Sequence, residues 1–191
     1  MKRQQFILNM SLIGAASLLS PKLLFARNSK PIRKVHIPLG AEHIRHGLYS
    51  PKQIVSTNLP SWFEVFERDI LLSNGHSVGP NDLGVLNLKV NGDSLSIFQK
   101  GNDFSILNGR ENHDLSPQNS VKTIQTKTGK ILILPVGKNK IEHPGAIGIC
   151  LKGTVKVDSQ QLNEFDCLSL TSEQVVDVKQ NSIIILIQNT L

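Results

Sequence analysis

From Leu83 to the carboxy terminus the chain is cut into short apolar segments by turn signals at nearly regular intervals. "LGVLNLKV" ends at Asn91-Gly92, the pairing best suited to a two-residue hairpin because both central positions take positive φ. "SLSIFQK" closes at Gly101-Asn102-Asp103, and "FSILNG" precedes a polar loop that runs through Pro117. "SVKTIQT" and "KILILPV" flank Lys127-Thr128-Gly129, and "AIGICLKGTVKV", "FDCLSL", "QVVDVKQ" and "SIIILIQ" complete the series. About ten strands in tandem, with no helical periodicity after residue 72, predict an all-β, antiparallel barrel or sandwich. The last segment is apolar at consecutive positions from Ile183 to Ile187, which predicts a strand covered on both faces.

The residues before this series are less regular. "SWFEVFERDILL", 61–72, fits two patterns. Trp62, Phe63, Phe66 and Ile70 would share a helical face capped by Ser61. Phe63, Val65 and Ile70 would equally suit a strand, the form that the β pattern downstream favours. Residues 27–60 carry Pro31, Pro38, Pro51 and Pro60 and little periodicity, as expected of an extended arm lying on the 61–191 body. Residues 1–26 read as an export signal. Lys2 and Arg3 precede a mostly apolar run from Phe6 to Leu19, and Leu24-Phe25-Ala26 suits cleavage before Arg27. The run is short for a membrane span. "KRQQFIL" resembles the twin-arginine export motif, with Gln4 in place of the second arginine. A periplasmic or secreted location is the expectation.

Charge adds to this. The formal net charge is +6, but residues 1–26 hold three bases and no acid, so the remainder is close to balanced. There is no basic run able to track a phosphate backbone, which points away from nucleic acid. Cys150 and Cys167 are the only cysteines. Export would permit a disulfide, but both lie in apolar strand-like runs, which favours buried thiols.

Residues 151–159, "LKGTVKVDS", followed by Leu162 and Asp166, resemble the hairpin of a cupin barrel. Gly153 would relieve a strand bend. Val155 and Val157 would face one side and Lys156 the other. Asp158-Ser159 would make the turn, and the Asp166 carboxylate would hold the turn backbone. Ser159 and Phe165 stand where the family usually has glycine. The final strands also resemble the carboxy-terminal half of pirin and quercetinase-like cupins.

That resemblance implies a metal set ahead of Gly153, which this sequence lacks. Ala146 occupies the glutamate position, and Lys140 and Glu142, or Asn139 and Ile141, occupy the histidine positions. His143 is out of register, and no histidine follows it. The other donors are His43 and His46 with Glu42 beside them, and His76 and His113 in expected loops, His113 flanked by Glu111 and Asp114. They are the residue types that hold zinc, iron or copper. Nucleophile-elbow, phosphate-loop and dinucleotide motifs are absent. Glu67 and Asp69 alternate with Arg68 as on a solvated face. Two expectations follow. One is a non-catalytic, exported cupin-like barrel without cofactor, binding a small ligand or a protein partner at the barrel mouth. The other is a metal-dependent, dioxygenase-like enzyme holding one divalent transition metal through His43, His46, His76 and His113. Neither involves nucleic acid or a stable membrane span after signal removal, and a homodimer through edge strands or the arm is expected for both.

Overall fold

Asn91 and Gly92 take φ of 53° and 85°, the paired left-handed geometry that a tight hairpin between right-twisted strands requires. They belong to a computed structural model that describes residues 33–40, 51–71, 83–108, 110–127, 129–171 and 174–189. In chain order its strands are β1 (Val35–His36), β2 (Gln53–Ile54), β3 (Phe63–Leu71), β4 (Leu83–Val90), β5 (Asp93–Lys100), β6 (Asp103–Asn108), β7 (Glu111–Asp114) and β8 (Lys122–Gln125). They continue as β9 (Gly129–Ile133), β10 (Gly137–Lys140), β11 (Ile147–Lys152), β12 (Val155–Val157), β13 (Gln160–Leu162), β14 (Asp166–Ser169), β15 (Val175–Val178) and β16 (Ile183–Asn189). The described residues contain no helix, so 63–71 takes the strand form of its two possible readings.

The strands form three antiparallel sheets, and they do not close into one barrel. The first runs β2-β3-β4-β5-β6-β7, the second β1-β14-β11-β16-β9-β8, and the third β10-β15-β12-β13. The first is a meander of hairpins. From β9 onward the chain changes sheet at every connection except the β12–β13 hairpin. That alternation is the winding of a jelly roll, in which each sheet receives every other strand.

The second sheet is the middle layer. Its alternate residues Ile131, Ile133, Ile147, Ile149, Leu151, Cys167, Ile183, Ile185 and Ile187 join one core with Phe63, Val65, Leu86, Leu88, Val90, Leu95, Ile97, Phe104 and Ile106 of the first sheet. Strand side chains alternate faces, so Leu132, Cys150, Leu168, Ile184 and Leu186, all buried, point the other way. There the third sheet supplies Val155, Val157, Leu162, Val176 and Val178, each 0 or 1% exposed. Six consecutive residues of β16 are therefore buried, as the unbroken apolar run of that strand predicts.

Strand number departs from expectation because several short strands carry no apolar signal. β10 is "GKNK" and β7 is "ENHD". Both are edge strands, held by backbone ladders with little side-chain burial. Residues 111–114, expected in a loop, thus form β7, opposite Ser105 to Asn108.

Candidate functional site

The first sheet buries one face and leaves the other open. Burial alternates along β4, with Leu86, Leu88 and Val90 inward and Leu83, Val85 and Asn87 outward. Outward residues line up across the strands. Asp69 pairs with Val85, Val85 with Phe98, Phe98 with Ser105, and Ser105 with Asp114. A groove of about 700 Å³ follows this row. Leu83, Val85 and Phe98 give it an apolar floor, and Asn87, Lys100, Asp103, Ser105 and Asn112 give it polar sides. Leu83 is 48% exposed and Phe98 38%. Ser96 donates its hydroxyl to Asn87 Oδ1 at 2.9 Å, which fixes that amide. Asp114 Oδ1 accepts from the Ser116 N–H and hydroxyl at 3.0 and 2.9 Å.

A bulge in β3 sets the polarity of the groove's first edge. Val65 pairs with Leu88 and Arg68 with Leu86, so Phe66 and Glu67 together oppose Asn87. An extra residue reverses which face the following side chains take. It turns Arg68 inward and Asp69 outward. Arg68 is therefore not on a solvated face, as its acidic neighbours suggest. Its guanidinium centre lies 3.5 Å from the centroid of the Phe165 ring. Burial lowers its pKa from the ordinary value, and the Glu164 charge opposes the change.

The 151–166 hairpin has the local geometry that its sequence implies. Val155 and Val157 are buried and Lys156 is exposed. Gly153 has φ +70°, and a Cβ there would lie 2.5 Å from Ser182 Oγ. Asp158 takes φ 53°, and its Oδ1 accepts the Val175 N–H at 3.0 Å. Phe165 takes φ 60°. Its N–H donates to Cys150 O at 2.6 Å, its carbonyl accepts from Ile37 N–H at 2.9 Å, and its ring sits 6.3 Å from Phe104. Two backbone bonds and a packed ring hold a conformation that costs about 1–3 kcal/mol outside glycine.

Asp166 is the centre of an ionic cluster that the sequence does not announce. Its Oδ2 accepts from Lys34 Nζ at 2.8 Å and from the Asn163 N–H at 2.9 Å. Its Oδ1 lies 2.9 Å from His36 Nδ1; a carboxylate only accepts, so the ring nitrogen donates. Burial works against its charge, but Lys34, Asn163 and His36 outweigh it and hold the carboxyl below its usual range. The only sequence signal for this cluster is a Lys-x-His spacing, which places both side chains on one side of an extended strand.

Of the candidate metal ligands, Glu42, His43, His46 and His76 lie outside the described residues. His113 is on β7, not in a loop, opposite Ile106. Its Nε2 is 3.5 Å from Glu111 Oε2. Among the described residues no three His, Cys, Asp or Glu side chains are placed to share a metal ion. Cys150 and Cys167 do not face each other. Ile149 pairs with Cys167, so Cys150, one residue on, points to the other side of the sheet. Burial, with nearby carboxylates adding to it, pushes both thiols up to about 12. No helix among the described residues is long and apolar enough to cross a membrane.

No family model matches the chain, and no curated protein or solved structure is significantly similar to it.

Proposed function

We propose that this chain is an exported, non-catalytic binding protein, a cupin-like jelly roll to which an amino-terminal sheet has been added, and that it takes up a small ligand. The observation that carries the reading is the groove over Val85 and Phe98. It is a concave apolar surface with polar side chains at its margins, the usual composition of a small-molecule site. This moves the expected ligand position from the barrel mouth to the outer face of the first sheet. The space between the jelly-roll sheets supports the same reading. Leu132, Leu168, Ile184, Leu186, Val155, Val157, Val176 and Val178 fill it together with Cys150, whose thiol is pushed up to about 12 by burial, which disfavours the thiolate.

A thermal-shift screen of small amphiphiles against the wild type and Phe98→Ser tests the proposal. Ligands that raise the wild-type Tm and lose that effect in Phe98→Ser are the expected result. A second reading, the metal-dependent enzyme, rests on His113, whose buried Nε2 makes no hydrogen bond among the described residues beyond its 3.5 Å approach to Glu111 Oε2. Elemental analysis of the purified protein separates the two. Stoichiometric transition metal that disappears in His43→Ala/His46→Ala or in His113→Ala overturns the non-catalytic reading. Export belongs to the proposal as well, and amino-terminal sequencing of extracytoplasmic protein should begin near Arg27.

A further inference from the structure

We propose that the groove on the first sheet selects small uncharged amphiphiles: an apolar chain or ring carrying hydroxyl, ether or carbonyl groups and no net charge. This rests on the ligand-binding reading above and specifies its chemistry. The charged groups at the groove are balanced within the protein. Asp69 has a partner and one buried carboxylate oxygen. Asp103 stands opposite Lys100 across the β5–β6 hairpin. The Asp114 carboxylate accepts from the Ser116 N–H and hydroxyl, and the Lys122 ammonium lies 2.6 Å from the Asp114 carbonyl oxygen. An ionic head group of either sign therefore gives up hydration at the groove and meets no unmatched counter-charge.

The neutral side chains are the ones with bonding capacity left. Among the described residues, Asn87 Nδ2, the Ser105 hydroxyl and the Asn112 amide make no hydrogen bond within the protein. Asn87 and Ser105 are half-buried and border the apolar floor on two sides. Ser105 stands opposite Phe98 on the next strand. Asn87 follows Val85 by two residues, about 7 Å along the same face of β4. Ser96 holds the Asn87 oxygen, which leaves both Nδ2 protons to a ligand acceptor and lowers the ordering cost of the contact. The Ser105 hydroxyl can donate or accept. An apolar body on Leu83, Val85 and Phe98 thus sets its uncharged head between these groups, and a hydrogen bond to each favours that head over an ionic one.

The test uses the full-length protein and three probes of matched chain length: decyl glucoside, decyltrimethylammonium and decanoate. Each is kept below the concentration at which it forms micelles, and affinity is read by titration calorimetry. The glucoside should bind tightest and both ions more weakly. Asn87→Ala should weaken the glucoside about three- to ten-fold, as for the loss of one hydrogen bond, and leave the two ions unchanged. Raising salt to 1 M should not weaken the glucoside. Phe98→Ser should weaken all three. An ion that binds as tightly as the glucoside, with loss in Phe98→Ser, overturns the uncharged class and keeps the groove. So does a glucoside affinity that Asn87→Ala leaves unchanged while Phe98→Ser lowers it. Binding that ignores Phe98→Ser, or no binding of any probe, overturns the groove itself. A wild-type circular dichroism spectrum for each variant excludes unfolding as the cause.

Discussion

Val157 and Lys156 are adjacent in sequence and opposite in burial, and this makes them a direct test of the hairpin. Val157→Asp removes about 1.5–3 kcal/mol of apolar burial and leaves a carboxylate without a partner, so a total loss of at least about 4 kcal/mol is expected. Lys156 lies across from Asp177, where a glutamate would set like charges side by side. Lys156→Gln is the cleaner control and should change stability by less than about 0.5 kcal/mol. Chemical denaturation of both variants checks the pair, and equal tolerance would show that β12 is not half-buried. Gly153→Ala faces two obstacles, a positive φ and the Ser182 side chain. It should cost about 1–3 kcal/mol in the same assay. The cysteines give a chemical counterpart. Because Cys150 and Cys167 are buried on opposite faces, a thiol reagent should find no reactive thiol in the native protein and two after denaturation.

At the level of elements, the short β1 strand carries more than its length suggests. It covers the edge of β14, with Val35 opposite Cys167 and His36 opposite Asp166, and His36, with Lys34 just before the strand, closes on Asp166. The depressed pKa of Asp166 fixes the sign of its pH effect. A group whose folded pKa lies below its unfolded value stabilises the fold at pH above the unfolded value, about 3.9 for aspartate. That contribution is lost as pH falls through the folded value. Wild type should therefore lose stability in acid more steeply than Asp166→Asn. At neutral pH the variant should be the less stable by about 1.5–3 kcal/mol, the worth of hydrogen bonds to a charged group. Melting curves from pH 7 to pH 3 measure both effects. The same elements show what could be read from the chain. Strands with apolar alternation or runs, such as β4, β5, β11 and β16, were legible because burial writes itself into side chains. β7 and β10 were not, because edge pairing is made by backbone groups common to all residues. Of the groove, Phe98 was visible only as one apolar residue in a strand. Its exposure follows from the parity of β5, and the outward turn of Asp69 follows from a bulge that leaves no mark in composition.

Across the molecule, the middle sheet is shared by two cores. A fragment of 116–191 would keep the jelly-roll strands but bare Ile131, Ile133, Ile147, Ile149, Ile183, Ile185 and Ile187 to water, a loss on the order of ten kcal/mol. Expressed alone, it should be insoluble or unfolded by size-exclusion chromatography and circular dichroism, and a folded soluble monomer would refute the shared-core account. The arm has the same dependence in another form. After β1, the segment through Gly40 bonds to the β3 backbone, with Gly40 N–H donating to Arg68 O and Arg68 N–H to Pro38 O at 2.9 and 3.0 Å. One stretch of six residues thus stitches the middle sheet to the first. Its salt-bridge partner Asp166 lies 130 residues beyond His36, and closing so long a loop is entropically late. A chain emerging amino terminus first from a ribosome would hold its arm idle until nearly all of the remaining sequence had appeared. Docking of the arm is thus a closing step, one that waits for β14 to arrive.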